Sequence, residues 1–204
     1  MIKLREFRSR DLDALYAISL ATGHEGSDAS HLYQDAELMG HIYSAPYALL
    51  EPGLVLVAVD GDKVAGFAAG AINTLRWEDV LEQNWWPALR RRYPDPDAAS
   101  LASWTADQRR ASAIHHPERA PRGVVNAYPA HLHLNLLPSV QGQGVGSMLL
   151  RAWLALASTH GATEVHVGVN HANLRALRFW RQNSFNELNP EGRVGSRTVW
   201  MGRS

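Results

Sequence analysis

Residues 130–160 read AHLHLNLLPSVQGQGVGSMLLRAWLALASTH, and the fold is decided there. Ala130–Leu137 alternates and then turns solidly apolar, the pattern of a strand, and Pro138 ends it. From Gly144 the apolar residues Val145, Leu149, Ala152 and Leu156 recur at helical spacing, marking one face of a helix that runs to about His160. Between them lies Gln141-Gly142-Gln143-Gly144-Val145-Gly146. Its missing side chains let the backbone fold tightly and let its N–H groups approach a ligand. The helix behind it adds unpaired amides and the positive end of its dipole. Such a turn suits a phosphate-bearing guest.

Working outward, Gly161 stops that helix, and Glu164–Val169 reads as the next strand. Asn173–Asn183 reads as a helix with Leu174, Leu177 and Trp180 on one side, followed by weaker strands near Phe185–Leu188 and Arg197–Met201. Upstream, Leu54–Val59 and Val64–Ile72 flank Asp60-Gly61-Asp62-Lys63, a hairpin pattern. Ile2 to Phe7 suggests a first strand. Ser9 is placed to cap a helix through Leu20, and Asp28–Tyr43 reads as a second helical stretch before Pro46, Pro52 and Gly53 break the chain. Residues 74–129 change texture, with mixed charge, Trp77, Trp85, Trp86 and Trp104, and helices expected around Glu78–Trp85, Pro87–Arg92 and Ala102–His115. This order predicts one α/β domain over residues 1–204, a mixed central sheet with helices on both faces and a helical insertion before the fourth strand.

Composition narrows the functions. The 204 residues are 46% hydrophobic and carry no net charge, so no global field favours nucleic acid or an anionic membrane. Cysteine is absent, which removes disulfides, thiolate nucleophiles and cysteine zinc sites and fits a reducing cytoplasm. Met1–Arg10 lacks the apolar core of a signal peptide, and no apolar run reaches the length of a membrane span. The expectation is a cytoplasmic protein without a metal, to which a homodimer is compatible.

Two familiar phosphate sites fit the glycine turn poorly. A P-loop needs a lysine, and none lies near. A dinucleotide fingerprint needs a third glycine where Ser147 stands, and an acid at the far end of the next strand, whereas Glu164 sits at its beginning. The turn resembles instead the Q/R-x-x-G-x-G/A loop of the GNAT superfamily of N-acetyltransferases: Gln141, Gly144 and Gly146 match it, with Pro138 just upstream. Asn173-x-x-Ala176-x-x-Phe179-Trp180 resembles that superfamily's N-x-x-A-x-x-F-Y helix, and Phe185 its following Phe. Alone, the turn also fits a strand–helix corner without a ligand, and Asn173 a plain helix cap. A closer resemblance, to the acetyltransferase-like domain of some bacterial O-GlcNAcase-related proteins, rests on Ala29–Tyr33, Trp85-Trp86-Pro87, His115-His116-Pro117 and Tyr128–His133.

The resemblance implies a GNAT fold and acetyl-CoA as co-substrate, held by the amides of Gln141, Gly142, Gln143, Gly144, Val145 and Gly146. Backbone groups of Leu136 and Leu137, with Asn173, would meet the pantetheine arm and the thioester carbonyl. It implies transfer to an amine of a small molecule or peptide by direct attack. The rival is a non-catalytic acetyl-CoA-binding module, favoured by Trp180 standing where the superfamily places an acidic Tyr, because an indole N–H does not ionise. His131, His133 and Asn135 project to one side of their strand. His133 and Asn135, with Trp180, are the catalytic candidates; hydrogen-bonded core histidines are the plainer reading. Thr22–Tyr47 would border the acceptor; His24, Glu25, Asp28, Tyr33 and Tyr43 fit an acidic, aromatic groove suited to an amine, and a solvated surface explains the acids equally well. Trp85, Trp86 and Trp104 read as local core.

Overall fold

The computed structural model describes residues 1–189 and 197–204. Seven strands, β1 Ile2–Glu6, β2 Val55–Asp60, β3 Lys63–Ala71, β4 Ala130–Leu136, β5 Val165–Asn170, β6 Asn186–Leu188 and β7 Thr198–Arg203, form one sheet in the order β1-β2-β3-β4-β5-β7-β6. All neighbours are antiparallel except β4 and β5, which the helix α8, Val145–Thr159, connects as a parallel crossover. This is the mixed α/β sheet expected from the sequence.

Alternation sends the two sides of the sheet to different partners. Val55, Val57, Val59, Phe67, Ala69 and Ala71 pack with Leu15, Ile18, Leu38, Tyr47, Trp77, Trp86 and Ile114. They meet α1 Leu12–Ala21, α2 Leu38–Tyr43, α3 Ala45–Leu50, α4 Thr74–Asn84, α5 Trp86–Arg92 and α6 Ala106–His115. A short α7, Arg122–Ala127, leads into β4. On the opposite side Leu56, Ala68, Leu132, Val165, Val167 and Val169 meet α8 and α9, Leu174–Gln182.

The buried stripe of α8 is Val145, Leu149, Leu150, Trp153 and Ala157, while Ala152 and Leu156 are only partly buried. The helix is therefore rotated from the face read in the sequence, because the large Trp153 ring takes the centre. That ring is wholly buried, and its Nε1–H donates to Leu54 O at 2.9 Å. A tryptophan removes roughly 200 Å² from water, about 5 kcal/mol of transfer free energy, and here its one polar atom is satisfied.

Several local expectations are corrected. Residues 28–37 are not helical. The Asp28 carboxylate accepts from Ser30 N and Ser30 Oγ, Asp35 accepts from Glu37 N, and Asp107 accepts from Gln34 N and Asp35 N. Side chains that bond the backbone this way hold turns against helix. Ser9 begins a 3-10 turn rather than capping, and Asp11 accepts from Arg8 N at 2.8 Å. Pro46 opens α3 instead of breaking the chain, since an N-terminal helical position has no need of its N–H. Trp85 and Trp86 join the core, but Trp104 donates to Asp97 O and Ser100 Oγ within its own turn.

Candidate functional site

The parallel pair β4–β5 is in register only at Ala130↔Val165 and His131↔His166, although the strands have seven and six residues. Beyond His131 they part. On its other edge β4 stays paired to β3 as far as Leu136, and Leu137 N donates to Ala65 O at 2.8 Å. In an antiparallel ladder the bonded edge alternates, so the N–H groups of Leu134 and Leu136 point into the gap. The Leu137 N–H, expected there, is spent on Ala65, and its carbonyl accepts from Val140 N.

At the mouth of the gap the chain turns through Gly142 (φ 72°) and Gly144 (φ 77°), both left-handed, and no atom lies within 4 Å of where either Cβ would be. Gly144 is the N-cap of the 15-residue α8 and no side chain caps it, so the first amides of the helix are left for solvent or a guest. Gly146 serves differently: a Cβ there would meet the Phe179 ring at 3.0 Å, so it is small for packing. The Val145 side chain is core, against Ala58, Ala65 and Val140. Gln143 Nε2 donates to Ser139 O, and Gln141 Nε2 to Leu136 O at 2.7 Å. Asn173 caps α9 through Ala176 N at 3.0 Å.

Arg175, in the first turn of the same helix, was not singled out from the sequence. It donates to the Gln141 side-chain oxygen and, at 2.7 Å, to Gly26 O. The segment His24–Ser27 is thereby tied across to the glycine turn and α9. Trp180 is buried with Leu177 and Phe185, its ring edge-on to Phe179 and Phe185.

On the α1–α6 side of β4 stand His131, His133 and Asn135, as the strand period requires. Asn135 Nδ2 donates to Thr22 Oγ1 at 2.7 Å, fastening the end of α1. His131 is held at both nitrogens: Nδ1 lies 2.7 Å from Thr74 Oγ1 and Nε2 2.7 Å from Tyr47 OH. Thr74 Oγ1 already donates its proton to Pro129 O. His131 Nδ1 must therefore carry the proton that Thr74 accepts, and Tyr47 donates to Nε2. Burial, with His166 and His133 nearby, pushes the His131 pKa well below its usual value.

His133 is half-buried, with ring contacts to Tyr43 (5.7 Å), Tyr47 (5.5 Å) and His131 (6.1 Å). Desolvation and then the proximity of His166 lower its pKa to about 4. It is a neutral imidazole in the working pH range. His24, Glu25 and Asp28 lie out on the exposed segment, and the charge against Tyr33 and Tyr43 is a cation: Arg110 Nε donates to Tyr33 OH and Arg110 Nη1 to Tyr43 OH, both at 2.9 Å. The expected acidic groove is thus aromatic and basic at its inner wall. His115 and His116 sit apart, bonded to Tyr93 O and Asp95. Among the described residues no cluster of three His, Asp or Glu is placed to hold a metal, and no helix is long and apolar enough to cross a membrane.

Comparison with known proteins agrees with this geometry. Residues 12–185 match the sequence model of the acetyltransferase (GNAT) family. Over 69 residues the chain is 39% identical to uncharacterised N-acetyltransferases of Mycobacterium bovis and Mycobacterium tuberculosis, a stretch that covers 34% of this chain and 40% of theirs. The crystal structure of SsHAT superposes with a TM-score of 0.89 at 32% identity, covering 99% of this chain and 97% of that one. The PaiA N-acetyltransferase of Thermoplasma acidophilum, in complex with coenzyme A, shares the fold at a TM-score of 0.58 and 16% identity, over 100% of this chain and 98% of that one.

Proposed function

This chain belongs to the acetyltransferase (GNAT) family, and from that premise we propose that it uses acetyl-CoA to acetylate an amine of a small molecule or peptide by direct attack, without a covalent enzyme intermediate. The observation that carries the reading is the two-residue register of β4 and β5, which opens a gap beside the uncovered turn at Gly142 and Gly144. That turn and the uncapped start of α8 fit a diphosphate, and the gap between the strands fits an extended arm. Acetyl-CoA supplies a thioester: the amine nitrogen bonds to the acetyl carbon, the carbon–sulfur bond breaks, one proton leaves nitrogen, and CoA departs as the thiol.

Within that scheme the amides of Gln141, Gly142, Gln143, Gly144, Val145 and Gly146 face the diphosphate. The N–H groups of Leu134 and Leu136 face the carbonyl oxygen and stabilise its developing charge. Asn173 borders the arm. His133 accepts the proton from the attacking amine, since it is neutral at working pH and no hydrogen bond to a described residue engages its ring. Asn135 and His131 hold the strand behind it. Trp180 contributes packing and no proton; a thiol of pKa near about 8.5 is a tolerable leaving group without an acid. We further read the chain as a single domain, close to the acetyltransferase-like domain of bacterial O-GlcNAcase-related proteins, and place it in the cytoplasm. The segments supporting that kinship include Trp85-Trp86-Pro87, whose last two residues open α5, and Tyr128–His133, which runs into β4.

The test is release of CoA thiol from acetyl-CoA over a panel of amines, beside a calorimetric titration with CoA. His133→Ala is expected to lower kcat roughly 10²-fold or more while leaving the KM for acetyl-CoA unchanged. Absence of saturable CoA binding at millimolar concentration would end the reading.

A further inference from the structure

Arg110 enters the acceptor side of the site from α6, within the helical insertion, 67 and 77 residues from the tyrosines it holds. Its guanidinium donates through Nε and Nη1 to two hydroxyls and lies 5.5 Å from the centroid of the Tyr43 ring. The same Tyr43 ring lies 5.7 Å from the ring of His133. Tyr33, Tyr43, Arg110 and His133 are all half-buried, so each keeps part of its surface open.

Among the described residues the cation lacks a counter-ion. No carboxylate of a described residue forms an ion pair with Arg110. Asp107, one turn earlier on α6, spends its oxygens on the Gln34 and Asp35 amides. Arg92 and Arg90, two other arginines of the insertion, are paired with Glu37 and Glu82. A guanidinium presents five N–H donors in a planar fork, and two are used here. A partly desolvated charge held in fixed geometry, with donors to spare, is the arrangement that recognises a carboxylate in bidentate fashion.

The charge also weighs on the acceptor. An amine arrives mostly as ammonium, and beside an uncompensated guanidinium it is repelled. An acceptor bringing its own carboxylate neutralises Arg110 and removes that repulsion.

We infer that the acceptor is an amine carrying a carboxylate, which binds across the Tyr43 ring with its carboxylate on Arg110 and its amine toward His133. The inference rests on the acetyl-transfer reading above and narrows it to a substrate class. Tyr33 and Tyr43 are positioning residues, holding the fork in plane.

The experiment compares matched pairs of acceptors, an amino acid and its primary amide, with α- and ω-amino acids in separate arms and phosphoethanolamine as the phosphate-bearing control. In the native enzyme kcat/KM for the carboxylate member is expected to exceed that for the amide by roughly tenfold or more. Arg110→Gln is expected to bring the two within a factor of about two, and Arg110→Lys, which keeps the charge but loses the fork, to fall between. Equal rates for both members, survival of the preference in Arg110→Gln, or a preference for phosphoethanolamine would each overturn the inference. Should no amine turn over while CoA still binds, the acetyl-transfer reading fails on its own. Arg110 is then decided by calorimetry with an N-acetyl-amino acid against its amide: binding of the carboxylate alone, lost in Arg110→Gln, upholds it, and equal or absent binding of both refutes it.

Discussion

The hydroxyl of Tyr47 lies 2.7 Å from Nε2 of His131, joining α3 to the central strand across 84 residues of sequence. Because Thr74 occupies the other ring nitrogen, this one contact fixes the histidine as the neutral Nδ1–H tautomer with no remaining freedom. The strand that carries the proposed base is thus anchored from the acceptor half, two residues before His133. The ring of Tyr47 in turn stacks on Trp77 at 4.5 Å, so the contact is rigid on both sides.

Tyr47→Phe keeps that stack and leaves His131 Nε2 buried without a donor. The cost of such an unpaired acceptor is about 1–3 kcal/mol. Calorimetry should show a melting temperature lower by several degrees, at roughly 2–4 °C per kcal/mol for a chain of this length. An unchanged Tm would mean that water replaces the phenol.

Stability should fall on acidification. Burial lowers the pKa values of His131, His133 and His166 below the unfolded value. Above pH of about 6.5 neither state binds these protons and the contribution is complete. As pH drops, the unfolded chain takes up protons that the folded chain refuses, and stability declines down to the folded value, about 4 for His133. Glu51 and Glu78, whose pKa values burial raises, work in the opposite sense. The clean readout is therefore a difference: between pH 7.5 and 5, Tm should drop less in His131→Gln than in the native chain. Parallel curves would remove the buried imidazole as the cause.

How much of this was legible in the sequence follows from the range of the forces involved. Strand β4, the glycine turn and α8 could be read because the period of two, the breakers and the helical stripe are all local. Asn173 could be read as a cap because its partner Ala176 is three residues away. Residues 28–37 were misread as helix in part because the carboxylate that takes the Gln34 and Asp35 amides, Asp107, lies more than 70 residues downstream. Arg110 carried no local sign at all, and only packing reveals that it meets Tyr33 and Tyr43. The parting of β4 from β5 left no mark in the residue pattern, since each strand taken alone is regular; only the family resemblance, which sets the Leu136 and Leu137 backbone against the pantetheine arm, implied it.

Gly144→Ala tests the turn. At φ 77° an added Cβ meets no neighbour, so the penalty is the backbone conformation itself, roughly 1–2 kcal/mol. A relaxed turn would re-aim the first amides of α8, and the CoA dissociation constant should rise about tenfold or more by calorimetry. Gly146→Ala presses instead on the edge of the Phe179 ring and should lower Tm with a smaller effect on CoA. Equal CoA affinity in Gly144→Ala and the native chain would argue that the turn touches no ligand.

Arg175 offers a separable test of the contact that closes one side of the gap. Its two donors reach Gln141 and Gly26; Arg175 is exposed, the other two are half-buried and both bonds lie at the surface, so the oxygens released in Arg175→Ala pass to water. The net cost of such exposed bonds is about 0.5–1.5 kcal/mol at most. The internal bonds of the bridged segment, His24 N to Ser27 O and Ser27 N to His24 O, do not depend on Arg175. Hydrogen exchange should therefore quicken only around residues 23–27 and 141–144, where opening needs few contacts to break, while β3, β4 and α8 keep native protection. If protection fell throughout the sheet, Arg175 would be part of what holds the fold, and the segment would not be a local strap.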